Sequence, residues 1–214
     1  GRSYILVKDG SRMDVINSEI AYLGYPRTAN LRVSPYGISW KMSNGKLGTT
    51  ILTGDVTGSK FHHNYFGAYT FGATGMTWTG NEFYENVRYG LDPHDDSNGF
   101  LVENNKFHDN GSHGLIFSKR CVNNIVKNNI SYNNKGHGIM LHAASNYNRI
   151  EDNKFYDNAD GIFVNDSHYN VIARNQIYQN QNGVRANKNS KENIIEKNRI
   201  YDNSQIGVYL YGSY

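Results

Sequence analysis

Apolar and polar residues alternate along this chain in short runs, and no run carries the i, i+3, i+4, i+7 spacing of a helical face. The clearest runs follow glycines at 90, 114, 138, 161, 183 and 207. The first and third positions after each glycine are Leu91/Pro93, Leu115/Phe117, Ile139/Leu141, Ile162/Val164, Val184/Ala186 and Val208/Leu210. Period two means strands, so these residues point inward. The second and fourth positions, Asp92/His94, Ile116/Ser118, Met140/His142, Phe163/Asn165, Arg185/Asn187 and Tyr209/Tyr211, face outward. A second short strand recurs as an apolar pair, for example Ile125 with Val126 and Ile194 with Ile195.

Each strand set is tied to one motif written six times. Residues 81–86 (NEFYEN), 105–110 (NKFHDN), 129–134 (NISYNN), 153–158 (NKFYDN), 175–180 (NQIYQN) and 198–203 (NRIYDN) recur every 22 to 24 residues. Coils of that length with three short strands predict an all-β fold, a right-handed parallel β-helix, the hand following from the general chirality of parallel crossovers. A leucine-rich horseshoe has a similar period, but its spaced leucine signature is missing. Like residues should pile on like at about 4.8 Å, with asparagine amides laddering up the stack and Asn and Gly turning the corners.

Composition then makes sense. Of 30 asparagines, 26 fall after residue 80, which suits a regular scaffold over 81–214. Residues 1–80 are less regular, with two earlier coils at 36–42 (YGISWKM) and 66–71 (FGAYTF) and an insertion near 43–50. The expectation is a single β-helix domain over 1–214. It begins and ends abruptly enough to be a piece of a longer solenoid, and Tyr214 falls within or just after a regular strand. No apolar run spans a membrane, and no signal peptide precedes Gly1. The lone Cys121 cannot form an internal disulfide and reads as structural or incidental.

Stacking turns sequence separation into geometry. The position before each glycine reads Tyr89, His113 and His137 in successive coils, and the fourth position after it reads Lys41, Phe71, His94, Ser118 and His142. His113, His137 and His142 therefore gather near His94, with Tyr89 and Asp92 on its own strand and Lys119 and Arg120 just beyond the next. Taken singly, each histidine reads more readily as a solvated bystander and the Lys–Arg pair as a solvated face, while a transition-metal site is disfavoured because Tyr89, Lys119 and Arg120 are poor ligands that repel or compete with a dication. The stretch 89–96 (YGLDPHDD) says more. Pro93 occupies an inward strand position where it weakens the ladder, a cost a strand accepts to fix the backbone under a site. Asp92 and His94, two apart, would let the carboxylate orient the imidazole. A histidine base beside a tyrosine and a guanidinium suits proton abstraction α to a carboxylate. Reprotonation from the opposite face epimerises a sugar; loss of the glycosidic oxygen cleaves the chain by β-elimination.

The stretch 89–95 (YGLDPHD), framed by its two asparagine motifs, resembles the signature of mannuronan C5-epimerases, which convert D-mannuronate to L-guluronate within alginate. Residues 18–25 (SEIAYLGY) and the strands YGISWK, FGAYTF, HGLIFSKR and HGIMLH resemble the periplasmic, calcium-independent branch, so the likeness covers roughly 14–214. The resemblance implies His94 as the base, Arg120 as the cation neutralising the carboxylate, with Lys119 able to share or take that role, and Tyr89 beside the reacting sugar. Asp92 and Asp95 would hold the site. His113, His137, His142, Lys41 and Tyr69 complete the substrate-binding expectation. Tyr36, Arg185, Tyr209 and Tyr211 are further groove candidates. The glycine–aspartate nonapeptides of the secreted branch do not occur, so no metal or cofactor is expected, calcium included. The expected partner is an anionic polysaccharide, alginate or polymannuronate, acted on outside the cytoplasm by a monomer. A net charge of +3 fits a polyuronate and would equally fit nucleic acid, but no recognition motif for the latter appears. A polyuronate lyase on the same site and a non-catalytic polysaccharide-binding β-helix are the rival readings.

Overall fold

The computed structural model describes residues 2–26 and 35–212. Three parallel sheets wrap one core. The broad sheet stacks nine strands, Ile5–Lys8, Ile38–Lys41, Ala68–Phe71, Leu91–His94, Leu115–Ser118, Ile139–His142, Asp160–Asn165, Asn182–Asn187 and Ile206–Leu210. The other two sheets have eight strands each, mostly of three residues. No helix among the described residues is long and apolar enough to cross a membrane.

Register gives the coil lengths. Ile5 pairs with Ile38 and Ile38 with Ala68, so the first two coils take 33 and 30 residues. From the pairing of Ala68 with Leu91 onward each coil takes 22 to 24. The early irregularity is thus one of long corners, while the strands keep their register. One corner carries a short 3-10 turn at Asn44–Lys46. The first coil strand, Ile5–Lys8, escaped sequence reasoning because its four residues lack the preceding glycine that marks the later coils.

Inside, like stacks on like. Phe61, Phe83 and Phe107 lie ring on ring at 4.7 and 5.0 Å, and Trp40 meets Trp78 edge to face. The corners are closed by buried asparagines. In the column of Asn81, Asn105, Asn129, Asn153, Asn175 and Asn198, the backbone N–H and side-chain Nδ2 of each of the first five donate to the Oδ1 one coil on. The same Nδ2 donates back to a main-chain carbonyl of the preceding coil, as Asn129 does to Val102 at 2.9 Å. Two more columns repeat this, one through Asn86, Asn110, Asn134 and Asn158 and one through Asn124 and Asn148. A corner breaks the β ladder, and these amides satisfy the groups it would leave bare.

The corners divide their labour between two neighbouring residues. The ladder asparagines point inward, and the residue before each takes the left-handed conformation: Asn104, Asn128, Asp152, Arg174 and Lys197 have φ between 54° and 58°. Asn and Asp suit that region, and Arg and Lys occupy it as well where the fixed amide beyond sets the turn.

The outward reading of the second strand position also changes. Ile116, Met140 and Phe163 face away from the solenoid yet are only 6, 8 and 6% exposed, packing together beside Tyr89. A small apolar patch thus forms on the outside of the broad sheet.

Replacing Asn129 by Leu should remove about 3 kcal/mol or more of stability, since carbonyls and amides of neighbouring coils lose partners while buried. Replacing its left-handed neighbour Asn128 by Gly should change stability by well under about 1 kcal/mol. Urea midpoints of the two variants check the contrast.

Candidate active site

An open cleft of about 1240 Å³ crosses the outer face of the broad sheet. Its floor comes from register: Asp92 pairs with Tyr69, His94 with Phe71 on one side and Ser118 on the other, and Ser118 with His142. Tyr89, Asp92, His94, Asp95, His113, Ser118, Lys119 and His142 line its centre. Lys8, Tyr36, Lys41, Ser43, Asn44, Phe66, Tyr69 and Phe71 line the end nearer the N-terminus.

His94 sits at the end of its strand with Nδ1 hydrogen-bonded to Asp95. That bond leaves Nε2 as the nitrogen available to a ligand. Burial lowers the imidazole pKa, against the opposing pull of Asp95, so the ring is neutral and basic at physiological pH. The expectation that Asp92 orients His94 is corrected here: the partner is Asp95, one residue on, because the chain turns left-handed at Asp95 and Asp96 and swings the Asp95 carboxylate back against the ring.

Asp92 has a different character. It is 3% exposed, its Oδ1 has no hydrogen-bond partner, and it lines the cleft. Burial, reinforced by the charge of Asp95, raises its pKa well above the usual carboxylate value. A carboxyl so placed keeps its proton to higher pH than an exposed one, and when protonated it can donate a hydrogen bond. Beside it the Tyr69 phenol, 5.8 Å from the His94 ring, is pushed up by burial and then by Asp92.

The two cations expected, Arg120 and its alternative Lys119, stand differently. The Arg120 side chain is 55% exposed and committed to Asp96 at 2.8 and 2.9 Å and to Asp95 at 3.3 Å, and it is not among the cleft-lining residues. Lys119 lines the cleft instead. The two residues are consecutive and both left-handed, with φ of 65° and 60°, so they project differently. Arg120 reaches His94 only through Asp95.

The histidine array separates likewise. His142 lines the cleft and contacts Ser118 Oγ at 3.2 Å, and His113 lines it beside Tyr89. His137 does not; its Nδ1 lies 2.9 Å from buried Asp160, which Arg185 and Asn182 also bind. Burial pushes the Asp160 carboxyl up, but these partners outweigh it and leave it low. Tyr36, Lys41 and Tyr69 stand on the cleft as expected. Arg185 instead caps Phe163 at 3.8 Å, and neither it nor Tyr209 and Tyr211 lines the cleft. Cys121 is buried beneath the site, its thiol donating to the carbonyls of Pro93 and Ser118. Sequence reasoning missed Lys8, Ser43 and Asn44, which lie on the long irregular coils where no repeat spacing predicts a column, and Ile116 and Met140, whose apolar character gave no chemical signal.

A parallel β-helix with an acid–base cleft across its broad sheet is the class that fold and site define. Residues 27–212 match the family described as periplasmic copper-binding protein (NosD), and the chain belongs to that family. A mannuronan C5-epimerase of Pseudomonas fluorescens is 30% identical over 105 residues, covering 47% of this chain and 19% of the relative. A crystallised mutant of the periplasmic alginate epimerase AlgG superposes with a TM-score of 0.89 at 29% identity, over 97% of this chain and 49% of that one. The A-module of the Azotobacter vinelandii mannuronan C-5 epimerase AlgE6, at 20% identity and TM-score 0.75 over 96% of this chain and 61% of that one, shares the fold. The resemblance read from the YGLDPHD stretch is thus met by relatives of that name. The chain spans about half of the AlgG structure and a fifth of the curated relative.

Asp92→Asn should stabilise the fold at neutral pH. A carboxyl whose pKa is raised on folding contributes stability below its unfolded value and loses it as pH rises toward its folded value. The gain over the wild type should therefore be negligible near pH 3 and grow as pH rises above 4. Thermal unfolding of both proteins against pH measures it.

Proposed function

We propose that the cleft epimerises D-mannuronate to L-guluronate in alginate. The observation that carries the reading is the gathering on one cleft wall of His94 anchored by Asp95, a buried Asp92 with an unpartnered carboxyl oxygen, and Lys119. The matched relatives support the substrate class.

His94 Nε2 removes the proton at C5, and the electron pair of that C–H bond moves into the carboxylate to give an enediolate. The added negative charge meets the Lys119 ammonium and a hydrogen bond from the Asp92 carboxyl, both strengthened away from bulk water. The Tyr89 phenol delivers a proton to C5 from the opposite face. Solvent then takes the proton from His94 and restores one to Tyr89, so configuration changes and composition does not. Arg120 acts as a positioning residue, holding Asp95 against His94.

The copper in the family description finds no fitting donor set. Among the described residues no group of three His, Cys, Asp or Glu side chains is placed to hold a metal ion. His113 and His137 are stacked ring on ring at 4.6 Å, with the Nδ1 of His113 taken by a main-chain amide and that of His137 lying 2.9 Å from Asp160. The proposed chemistry needs no cofactor and no added calcium. Both the family description and the AlgG name say periplasmic, which supports an extracytoplasmic site of action.

A proton NMR time course on polymannuronate in EDTA tests the reading: guluronate anomeric signals are expected, without unsaturated ends. Unsaturated ends would mean β-elimination, and silence in both would sink an enzymatic role on this polymer. His94→Ala should lose at least about 100-fold in rate. Because the base must be unprotonated and burial lowers its pKa, the acid limb of kcat/KM should lie below pH 6.5.

Lys119→Met should cost about 100-fold in kcat/KM. Arg120→Met should cost less and move the acid limb to higher pH, since Asp95, freed of its guanidinium, would favour the imidazolium. A larger loss from Arg120→Met with an unmoved limb would return the neutralising role to Arg120.

A further inference from the structure

His113 is built into the cleft wall with unusual definition. Its ring lies between that of Tyr89, 5.3 Å away and 18° from parallel, and that of His137, 4.6 Å away and 9° from parallel. The main-chain N–H of His137 donates to its Nδ1 at 3.0 Å. A nitrogen that accepts from an amide carries no proton, so the ring proton resides on Nε2. The neighbouring coil makes room for this arrangement. A Cβ on Gly136 would stand 2.4 Å from that Nδ1, so only glycine permits the ring to sit there. The ring is fixed in place, in plane and in tautomer, and it lines the cleft one coil beyond His94.

From this geometry we propose that His113 is a fixed hydrogen-bond donor, presenting Nε2–H to an acceptor oxygen of the bound uronate and so positioning the sugar over His94. The proposal rests on the polyuronate reading above. The surroundings suit the role. Burial, then the charges of His137 and Arg88, push its pKa down to about 3 against the opposing charge of Asp160, with His142 adding a small lowering. Tyr89 and the other groups packed on it supply no carboxylate in contact with the ring. His113 therefore offers a proton without competing as a second base, and its donor capacity does not change across neutral pH.

Long-range proton–nitrogen NMR of histidine-labelled protein reads the tautomer directly. The expected result is protonated Nε2 and bare Nδ1 at His113 from pH 8 down to pH 5. Titration near pH 6, or the opposite tautomer, would overturn the proposal. On polymannuronate, His113→Gln can return an N–H to the Nε2 position and should stay within about tenfold of wild type, the loss falling on KM. His113→Leu and His113→Asn, whose amide reaches only the Nδ1 position, should both lose about 100-fold. Equal losses in all three variants, each unfolding at the wild-type temperature, would refute the donor role. Should the wild type leave polymannuronate unchanged, the parent reading fails separately. Mannuronate oligomers added to labelled protein then decide for His113: a shifted Nε2–H resonance supports the donor, and an unmoved one rejects it.

Discussion

Each buried asparagine amide bonds the coil before it and the coil after it, and this shared hydrogen bond fixes the register of the whole solenoid. Within a coil the corners interrupt the β ladder, so main-chain groups would be stranded in a dry interior without it. Because the amide also dictates the turn, the left-handed residue beside it can be Asn, Asp, Arg or Lys. Three such columns hold each regular coil at its corners. Every outward column, and hence every distance in the cleft, inherits that register.

The cleft draws its chemistry from this rigidity. Groups that water would leave independent are held where each alters its neighbour. Asp95 anchors His94 and is itself held by Arg120, while Asp92, two residues before His94, is buried with one carboxyl oxygen unpartnered. Two carboxyls three residues apart thus meet different surroundings, one bonded to an imidazole and a guanidinium, the other buried with its pKa raised. Burial of Asp92 costs stability that the asparagine ladders and the aromatic stacks offset.

The outer apolar patch joins the site to the remainder of the solenoid. Ile116 and Met140 line the cleft and continue into Phe163, over which Arg185 lies while it binds Asp160. Asp160 in turn neighbours His137, whose main-chain amide holds His113. The wall of the cleft is therefore braced through four successive coils.

The repeat, the strand direction, the columns and the grouping of His94, Tyr89, Asp92 and Lys119 were legible from spacing alone, because a solenoid makes sequence distance a measure of position. The regular period made even the buried amide ladder foreseeable. The first coil and the wall residues Lys8, Ser43 and Asn44 were not legible, since coils of 30 and 33 residues depart from the 22-to-24-residue period. Nor did spacing decide which of two neighbouring groups takes which place in the cleft. Lys119 and Arg120, and Asp92 and Asp95, differ in role only through consecutive left-handed turns and through burial. Those are properties of three-dimensional packing: a side chain's direction at an irregular corner and its access to water depend on the coils above and below, which the local sequence does not contain.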